Sequence, residues 1–252
     1  MAVDKGKVYL VGAGPGPAEL LTLRAHELLR QAEVLLYDRL ILPEVLALAP
    51  QDCQRLDVGL APGQDPQARQ DHILALMVDG ARSGRRVVRL KGGDPFIFGR
   101  GGEEWLQLRQ QGIDCEVIPG ISSALAAPLL AGIPLTFRGL SHSFAVFTSR
   151  AGKGLAPPDL SAAAQVDCAV FLMGVEQLPH IRQTLLLAGK PAHTPLAVVE
   201  RAGWPDMKCH FTTLGQARDL IGLLQPPATI VLGQVVEALH SSTRTQECRT
   251  AP

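Results

Sequence analysis

The sequence predicts an α/β fold, with a largely parallel sheet, on three observations. Short β-rich runs alternate with helical stretches along nearly the whole chain, the order expected of strand–helix–strand units. The alternation runs through one complete series up to Pro119-Gly120 and then begins a second. Of the 252 residues, 46% are apolar and 19% charged, enough to bury a core and still present a polar surface.

The first series starts with the β-rich run Val8 to Val11, followed by helical spacing from Ala18 to Gln31 and a second run, Val34 to Tyr37. A polar stretch with Pro62 and Pro66, Gln51 to Asp71, reads as a loop that overlaps a helical pattern from Gln67 to Ser83. Val87 to Leu90, the helix Gly102 to Gln111 and Glu116 to Ile118 complete the series. The second series comprises the helix Ser122 to Leu130 and the strands Phe144 to Thr148 and Cys168 to Met173. After them come a helix Gln177 to Ala188, strands Leu196 to Val199 and Thr229 to Leu232, and between these a helix Leu214 to Leu224. Residues 151–161 read as a loop, because Gly152, Gly154, Pro157 and Pro158 interrupt any periodicity. The domains expected are 1–120 and 121–240, with 241–252 a frayed polar tail.

A formal net charge of zero argues against a nucleic-acid binder that relies on a diffuse basic field. No signal peptide is expected, since Val8 to Val11 is too short for an apolar h-region. Val117 to Phe137 carries no charge, but Pro119, Pro128 and Pro134 with Gly120 and Gly132 would break a spanning helix, so it reads as buried core or ligand lining. No membrane association is expected. Cys53, Cys115, Cys168, Cys209 and Cys248 are scattered, with no metal-ligand spacing, which suits reduced thiols in the cytoplasm and no bound metal.

Two segments carry chemistry. In the first, an apolar run enters Gly12-Ala13-Gly14-Pro15-Gly16-Pro17 ahead of a helix. Glycines let a backbone approach a ligand, and a helix N-terminus favours negative charge. The G-x-G-x-G spacing fits a ligand loop and a plain tight turn equally, and Asp38 stands where a dinucleotide fold places its acid. The second segment runs from Val87 through Arg89, Lys91, Gly92-Gly93-Asp94-Pro95, Phe96-Ile97-Phe98 and Gly99-Arg100-Gly101-Gly102 to Glu103-Glu104. So many glycines and charges make a poor structural linker, and its place beyond a strand's carboxyl end is where α/β sheets bind ligands. Glu104 alone reads adequately as a first-turn acid facing the helix dipole.

These segments, with Leu35-Leu36-Tyr37-Asp38, Val117 to Ala124, Ala131 to Gly139 and Phe171-Leu172-Met173, resemble the uroporphyrinogen-III C-methyltransferases of the tetrapyrrole-methylase family. The resemblance covers about residues 6 to 237, and the block from Arg89 to Glu104 is its most specific part. It implies two α/β domains of that family's type with S-adenosyl-L-methionine in the cleft between them, and a homodimer. It implies Pro15, Gly92, Gly93, Asp94, Ser122, Ser123, Met173, Ala202 and Ala228 as cofactor-binding residues. It implies two successive methyl transfers to uroporphyrinogen III, giving precorrin-2 with S-adenosyl-L-homocysteine as co-product. An additional oxidising and iron-inserting domain, as in fused sirohaem synthases, is not expected because the methylase pattern begins by residue 8.

Uroporphyrinogen III carries eight carboxylates, for which forked guanidinium groups are better partners than ammonium groups. Arg100 and Arg138 match positions on the family's substrate side, and Glu103 matches a functionally implicated glutamate; these three are the catalytic candidates, with Arg39 and Arg150 weaker ones. An arginine is a poor base, so Arg100 is expected to bind carboxylate and orient the ring while Glu103, a substrate carboxylate or water takes the departing proton. The chain departs from the family's pattern at Val58 to Pro66, which has no Lys or Arg where a basic glycine-rich loop is common. Phe137 stands where Thr-His-Arg carries a histidine, and Pro17 where Asp is frequent. Methylation of a later corrin precursor, a dinucleotide-dependent oxidoreductase and a non-catalytic S-adenosylmethionine-binding protein are the competing readings.

Overall fold

Ten strands form two five-stranded sheets in a computed structural model that describes residues 6–59, 65–150, 156 and 158–239. The chain divides into two compact units, Met1–Ser122 and Ser123–Pro252.

In the first unit the strands are β1 (Val8–Gly12), β2 (Val34–Tyr37), β3 (Gln54–Asp57), β4 (Val87–Lys91) and β5 (Cys115–Ile118). They lie in the order β3-β2-β4-β1-β5, every neighbouring pair parallel. A parallel sheet has both faces covered, so successive strand residues go to opposite cores. Leu10, Leu36 and Val87 pack with Ile73 and Met77 of α3 (Pro66–Arg82) and Leu108 of α4 (Gly101–Gln110). Val11, Leu35, Val88 and Leu90 pack with Ala25, Leu28 and Leu29 of α1 (Leu23–Leu29) and Val45 of α2 (Pro43–Leu46). Local chemistry starts the helices. Thr22 Oγ1 accepts from Ala25 N at 3.2 Å, and Asp65 accepts from Ala68 N at 3.0 Å ahead of Pro66 in the first turn of α3.

The second unit holds β6 (Phe144–Thr148), β7 (Cys168–Leu172), β8 (Pro195–Glu200), β9 (Lys208–Thr213) and β10 (Ala228–Leu232), ordered β6-β7-β10-β8-β9. α5 (Ser123–Leu130) supplies Ala124 and Ala127 to one face with Cys168, Val170, Ala197 and Val199. α6 (Leu178–Leu187) supplies Leu178, Ile181 and Leu185 to the other, with Phe171, Val198 and Ile230.

Several expectations are corrected. The largely parallel sheet holds for the first unit alone; in the second only β6–β7 is parallel and the three other pairs are antiparallel. The loop expected over 51–71 contains β3 and the start of α3, with residues 60–64 outside the described residues. The helix expected over 18–31 is a 3-10 turn, Ala18–Leu20, and then α1, because Leu21 and Thr22 are extended and Thr22 opens a new helix. The helix expected over 214–224 is only the 3-10 turn Gln216–Leu220, ended by extended Ile221 and by Gly222 at φ +82°. The loop expected at 151–161 falls mostly, and the tail at 241–252 wholly, outside the described residues, as does Cys248.

No helix among the described residues is long and apolar enough to cross a membrane. The chargeless stretch from Val117 becomes the end of β5, a turn and the short α5 with Pro128 inside it. Burial pushes the Cys115 and Cys168 thiols up to about 12, so neither forms a reactive thiolate near neutrality. Iodoacetamide at pH 8 is expected to leave both unmodified in peptide maps of the folded protein. Rapid alkylation of either would contradict its burial at the start of β5 or β7.

Candidate functional site

In the first unit the loops after β1, β4 and β5 meet. Gly14 and Gly93 exchange backbone bonds, Gly14 N to Gly93 O at 3.1 Å and Gly93 N to Gly14 O at 2.8 Å, and Ala13 N donates to Lys91 O at 2.8 Å. Asp94 adds the third loop. Its Oδ1 accepts from Phe96 N at 2.8 Å and its Oδ2 from Gly120 N at 3.2 Å. Glycine is required here for closeness. A β-carbon on Gly12 would lie 2.5 Å from Gly120 N and 2.7 Å from Gly93 O, and one on Gly120 would strike Gly93 O. The structure therefore brings together Gly92, Gly93 and Asp94 with the strand ends that carry Pro15 and Ser122. Gly92 is exposed, Gly93 and Ser122 are buried, and Pro15 and Asp94 are half-buried.

Beneath these loops lies a charged cluster that the sequence did not announce. Alternation points Arg89 and Lys91 from β4 to the face covered by α3 and α4. Glu104, fully buried in the first turn of α4, binds Lys91 Nζ at 2.9 and 3.1 Å and Arg89 Nε at 3.4 Å, and accepts from Gln70 Nε2 at 3.0 Å. Arg89 also grips both oxygens of Asp38 at 2.9 and 3.0 Å, and Arg69 reaches Asp38 Oδ1 at 2.8 Å. Burial opposes the charge on Arg89, but Asp38 and Glu104 outweigh it and hold its pKa above the usual guanidinium value. Burial, and then Arg89 itself, pulls Lys91 below the usual ammonium value despite Glu104. Glu104 is therefore more than the first-turn acid it was expected to be. The missed signal was two charges at alternate positions of a strand otherwise made of Val87, Val88 and Leu90.

Arg100 and Glu103 stand together where the loop enters α4. Arg100 is the N-cap residue in the left-handed region (φ 59°), and its Nε and Nη2 donate to Glu103 Oε2 at 3.0 and 2.6 Å. This hydrogen bond raises the Arg100 pKa further, so the guanidinium stays charged. Phe98 is also left-handed (φ 52°), and Phe96, Ile97 and Phe98 are all exposed. Strained non-glycine residues persist only where the surroundings hold them. Arg39, after β2, is exposed.

In the second unit Met173, Ala202 and Ala228 gather at one end of the sheet. Met173 follows the last residue of β7, Ala202 lies two beyond β8, and Ala228 opens β10 opposite Glu200 and beside the Thr229–Leu172 pair. Met173 (φ 54°) and Arg201 (φ 47°) are both left-handed. Met173 O accepts from Ser149 Oγ at 3.2 Å, and Arg201 N donates to Pro227 O at 2.8 Å. Met173 is 46% exposed, whereas Ala202 and Ala228 are half-buried against the two cores. Arg150 follows β6 at this same end, because Thr148 pairs with Leu172. Arg138 is placed differently, on an exposed turn closed by the Phe137–Ser141 bridge that leads into the first residue of β6. Ser123 is the first residue of α5.

The family described as Tetrapyrrole (Corrin/Porphyrin) Methylases matches residues 7–218. A uroporphyrinogen-III C-methyltransferase of Synechococcus elongatus is 45% identical over 235 residues, covering 92% of this chain and 94% of the relative. A siroheme synthase of Pseudomonas putida is 43% identical over 92% of this chain, which spans 50% of that longer protein. The crystal structure of uroporphyrin-III C-methyltransferase from Thermus thermophilus, complexed with S-adenosyl homocysteine, superposes with a TM-score of 0.82 at 44% identity, covering 93% of this chain and 100% of that one. A cobalt precorrin-4 methyltransferase gives a TM-score of 0.81 at 28% identity over 91% of this chain and 95% of its own. With a family match across most of its length, and relatives of this identity along nearly all of it, the chain belongs to the tetrapyrrole methylases.

Proposed function

We propose that the protein is an S-adenosyl-L-methionine-dependent C-methyltransferase that places two methyl groups in succession on uroporphyrinogen III, giving precorrin-2. One observation carries the reading. Gly12 and Gly120 approach each other and Gly93 O too closely for a β-carbon on either, beside the carboxylate of Asp94, in a chain 44% identical to an enzyme solved with S-adenosyl homocysteine. Backbone without side chains suits close approach of a flat, polar ligand, and a carboxylate suits its charged end.

S-adenosylmethionine supplies, when bound, a methyl group already activated on a sulfonium. The residues we assign to holding it are Pro15, Gly92, Gly93, Asp94 and Ser122 of the first unit with Ser123, Met173, Ala202 and Ala228 of the second. Met173 serves as a soft packing neighbour rather than a reactant. Arg100 binds a substrate carboxylate and orients the ring, and Arg138 binds carboxylate as well. Because the Glu103 hydrogen bond outweighs the opposing effect of burial and keeps the guanidinium charged, Arg100 does not remove the proton from the methylated ring. That proton passes to Glu103, a substrate carboxylate or water. Positioning of an already nucleophilic carbon is then a principal contribution of the protein.

A homodimer working in the cytoplasm belongs to the same reading. Leu125 and Leu129, one helical turn apart on α5 and 48% and 73% exposed, supply an apolar face of the kind a partner covers. Methylation of a later corrin precursor is the second reading, favoured by the cobalt precorrin-4 methyltransferase neighbour but at 28% identity against 45%.

The test is incubation of the purified protein with labelled S-adenosylmethionine and uroporphyrinogen III, counting methyls by mass. Two are expected. No transfer by a preparation that binds the donor discards the substrate. No donor binding discards the whole reading.

A further inference from the structure

Residues 92–100 form a loop with no core of its own. Phe96, Ile97 and Phe98 face solvent, and two non-glycine residues within it adopt left-handed conformations. Something outside the loop must hold it, and the bonds that do so gather at its ends. Lys91 immediately precedes it and Glu104 sits in the first turn of the helix that follows, and these two form a buried ion pair at 2.9 Å. Pro95 O accepts from Gly101 N at 3.0 Å, closing the loop at its neck.

The pair is also the point where neighbouring elements converge. Arg89 carries the cluster to Asp38 after β2, Gln70 ties it to α3, and Lys91 O receives Ala13 N from the loop after β1. A displaced Lys91 would therefore shift both glycine loops. Taking ions out of water is costly, and apolar residues of similar volume generally stabilise a core as well or better. The ions are thus better explained by the directions their bonds impose than by stability.

We propose that Glu104 is a positioning residue which, by gripping Lys91 and Arg89 from α4, fixes both ends of the 92–100 loop and so sets the turn Gly92–Asp94 for the cofactor. This rests on the reading of that turn as an S-adenosylmethionine site.

The test measures S-adenosylhomocysteine affinity by calorimetry beside thermal unfolding without ligand. Glu104→Gln is expected to raise Kd at least tenfold. Met77→Ala, fully buried on the same face of the sheet, is expected to unfold earlier with Kd within twofold of the original. The pair Lys91→Met with Glu104→Leu separates the two roles: melting is expected to return to the original temperature or above it, while Kd stays at least tenfold raised. Should those variants fail to fold, Glu104→Asp keeps the buried charge and withdraws the grip by one methylene, and Kd is again expected to rise. Unchanged Kd in whichever of the Glu104 variants folds overturns the positioning role, as does recovery of affinity together with stability in the double variant. If the unaltered protein itself binds no S-adenosylhomocysteine, the cofactor reading fails, and with it the premise on which this role rests.

Discussion

Gly12→Ala is expected to abolish cofactor binding and to destabilise the fold by about 3 kcal/mol, the upper part of the usual range for overpacking a well-filled interior. The new β-carbon would stand 2.5 Å from Gly120 N and 2.7 Å from Gly93 O. Neither atom can rotate aside. Gly93 is paired through its backbone with Gly14, and Gly120 is tethered to Asp94. Relief requires the β4 and β5 loops to part, and with them Gly93 and Asp94, the residues assigned to the cofactor. Gly102→Ala is the matched control. It lies inside α4, nothing stands within 4 Å of its would-be β-carbon, and it is expected to gain about 0.5 kcal/mol from reduced backbone freedom. Thermal melts and titration with S-adenosylhomocysteine check both. Affinity within threefold in a folded Gly12→Ala protein would mean that the glycine junction is not where the cofactor lies.

Much of the fold was legible because buried strands announce themselves. Val34–Tyr37, interior to its sheet, begins and ends where its apolar run does, and the edge strand Phe144–Thr148 is legible too because Phe144 to Phe147 is an unbroken apolar run. β3 and β9 were invisible for the complementary reason. Both are edge strands, and Gln54-Arg55-Leu56-Asp57 and Lys208-Cys209-His210 alternate too weakly to separate from loop. Strand direction in the second sheet was equally hidden, because Leu196 to Val199 and Thr229 to Leu232 read the same in either sense and only tertiary pairing sets β8 and β10 antiparallel. The Gly-Gly-Asp-Pro segment stood out in the sequence by its composition, which marks it as a candidate ligand loop. The work of Asp94 in tying Gly120 to that loop was not, since the two lie 26 positions apart. Glu104 shows the limit most clearly: a carboxylate in the first turn of a helix looks like an ordinary cap until Arg89 and Lys91 are seen on the facing strand.

Arg100→Lys is expected to leave kcat within about threefold and to raise KM for uroporphyrinogen III by about 10- to 100-fold, the equivalent of one hydrogen bond to a charged group. The two side chains differ in what each can do from the same backbone position. Both carry a positive charge, and both must occupy the left-handed region at the N-cap of α4, so fold and field change little. Lysine lacks the fork that lets Arg100 present Nε and Nη2 to one carboxylate, as it does to Glu103 at 3.0 and 2.6 Å. The pH dependence separates binding from proton removal. The Glu103 hydrogen bond raises the arginine pKa above its already high ordinary value, so Arg100 titrates nowhere between about pH 6 and 10 and its contribution to KM is flat there. A lysine loses its charge as pH rises through its own pKa of about 10.4, so the variant's KM should climb further on the alkaline side. If instead kcat collapses while KM and its pH profile stay as they were, Arg100 acts in the proton-removal step, and the division of labour between Arg100 and Glu103 must be reversed.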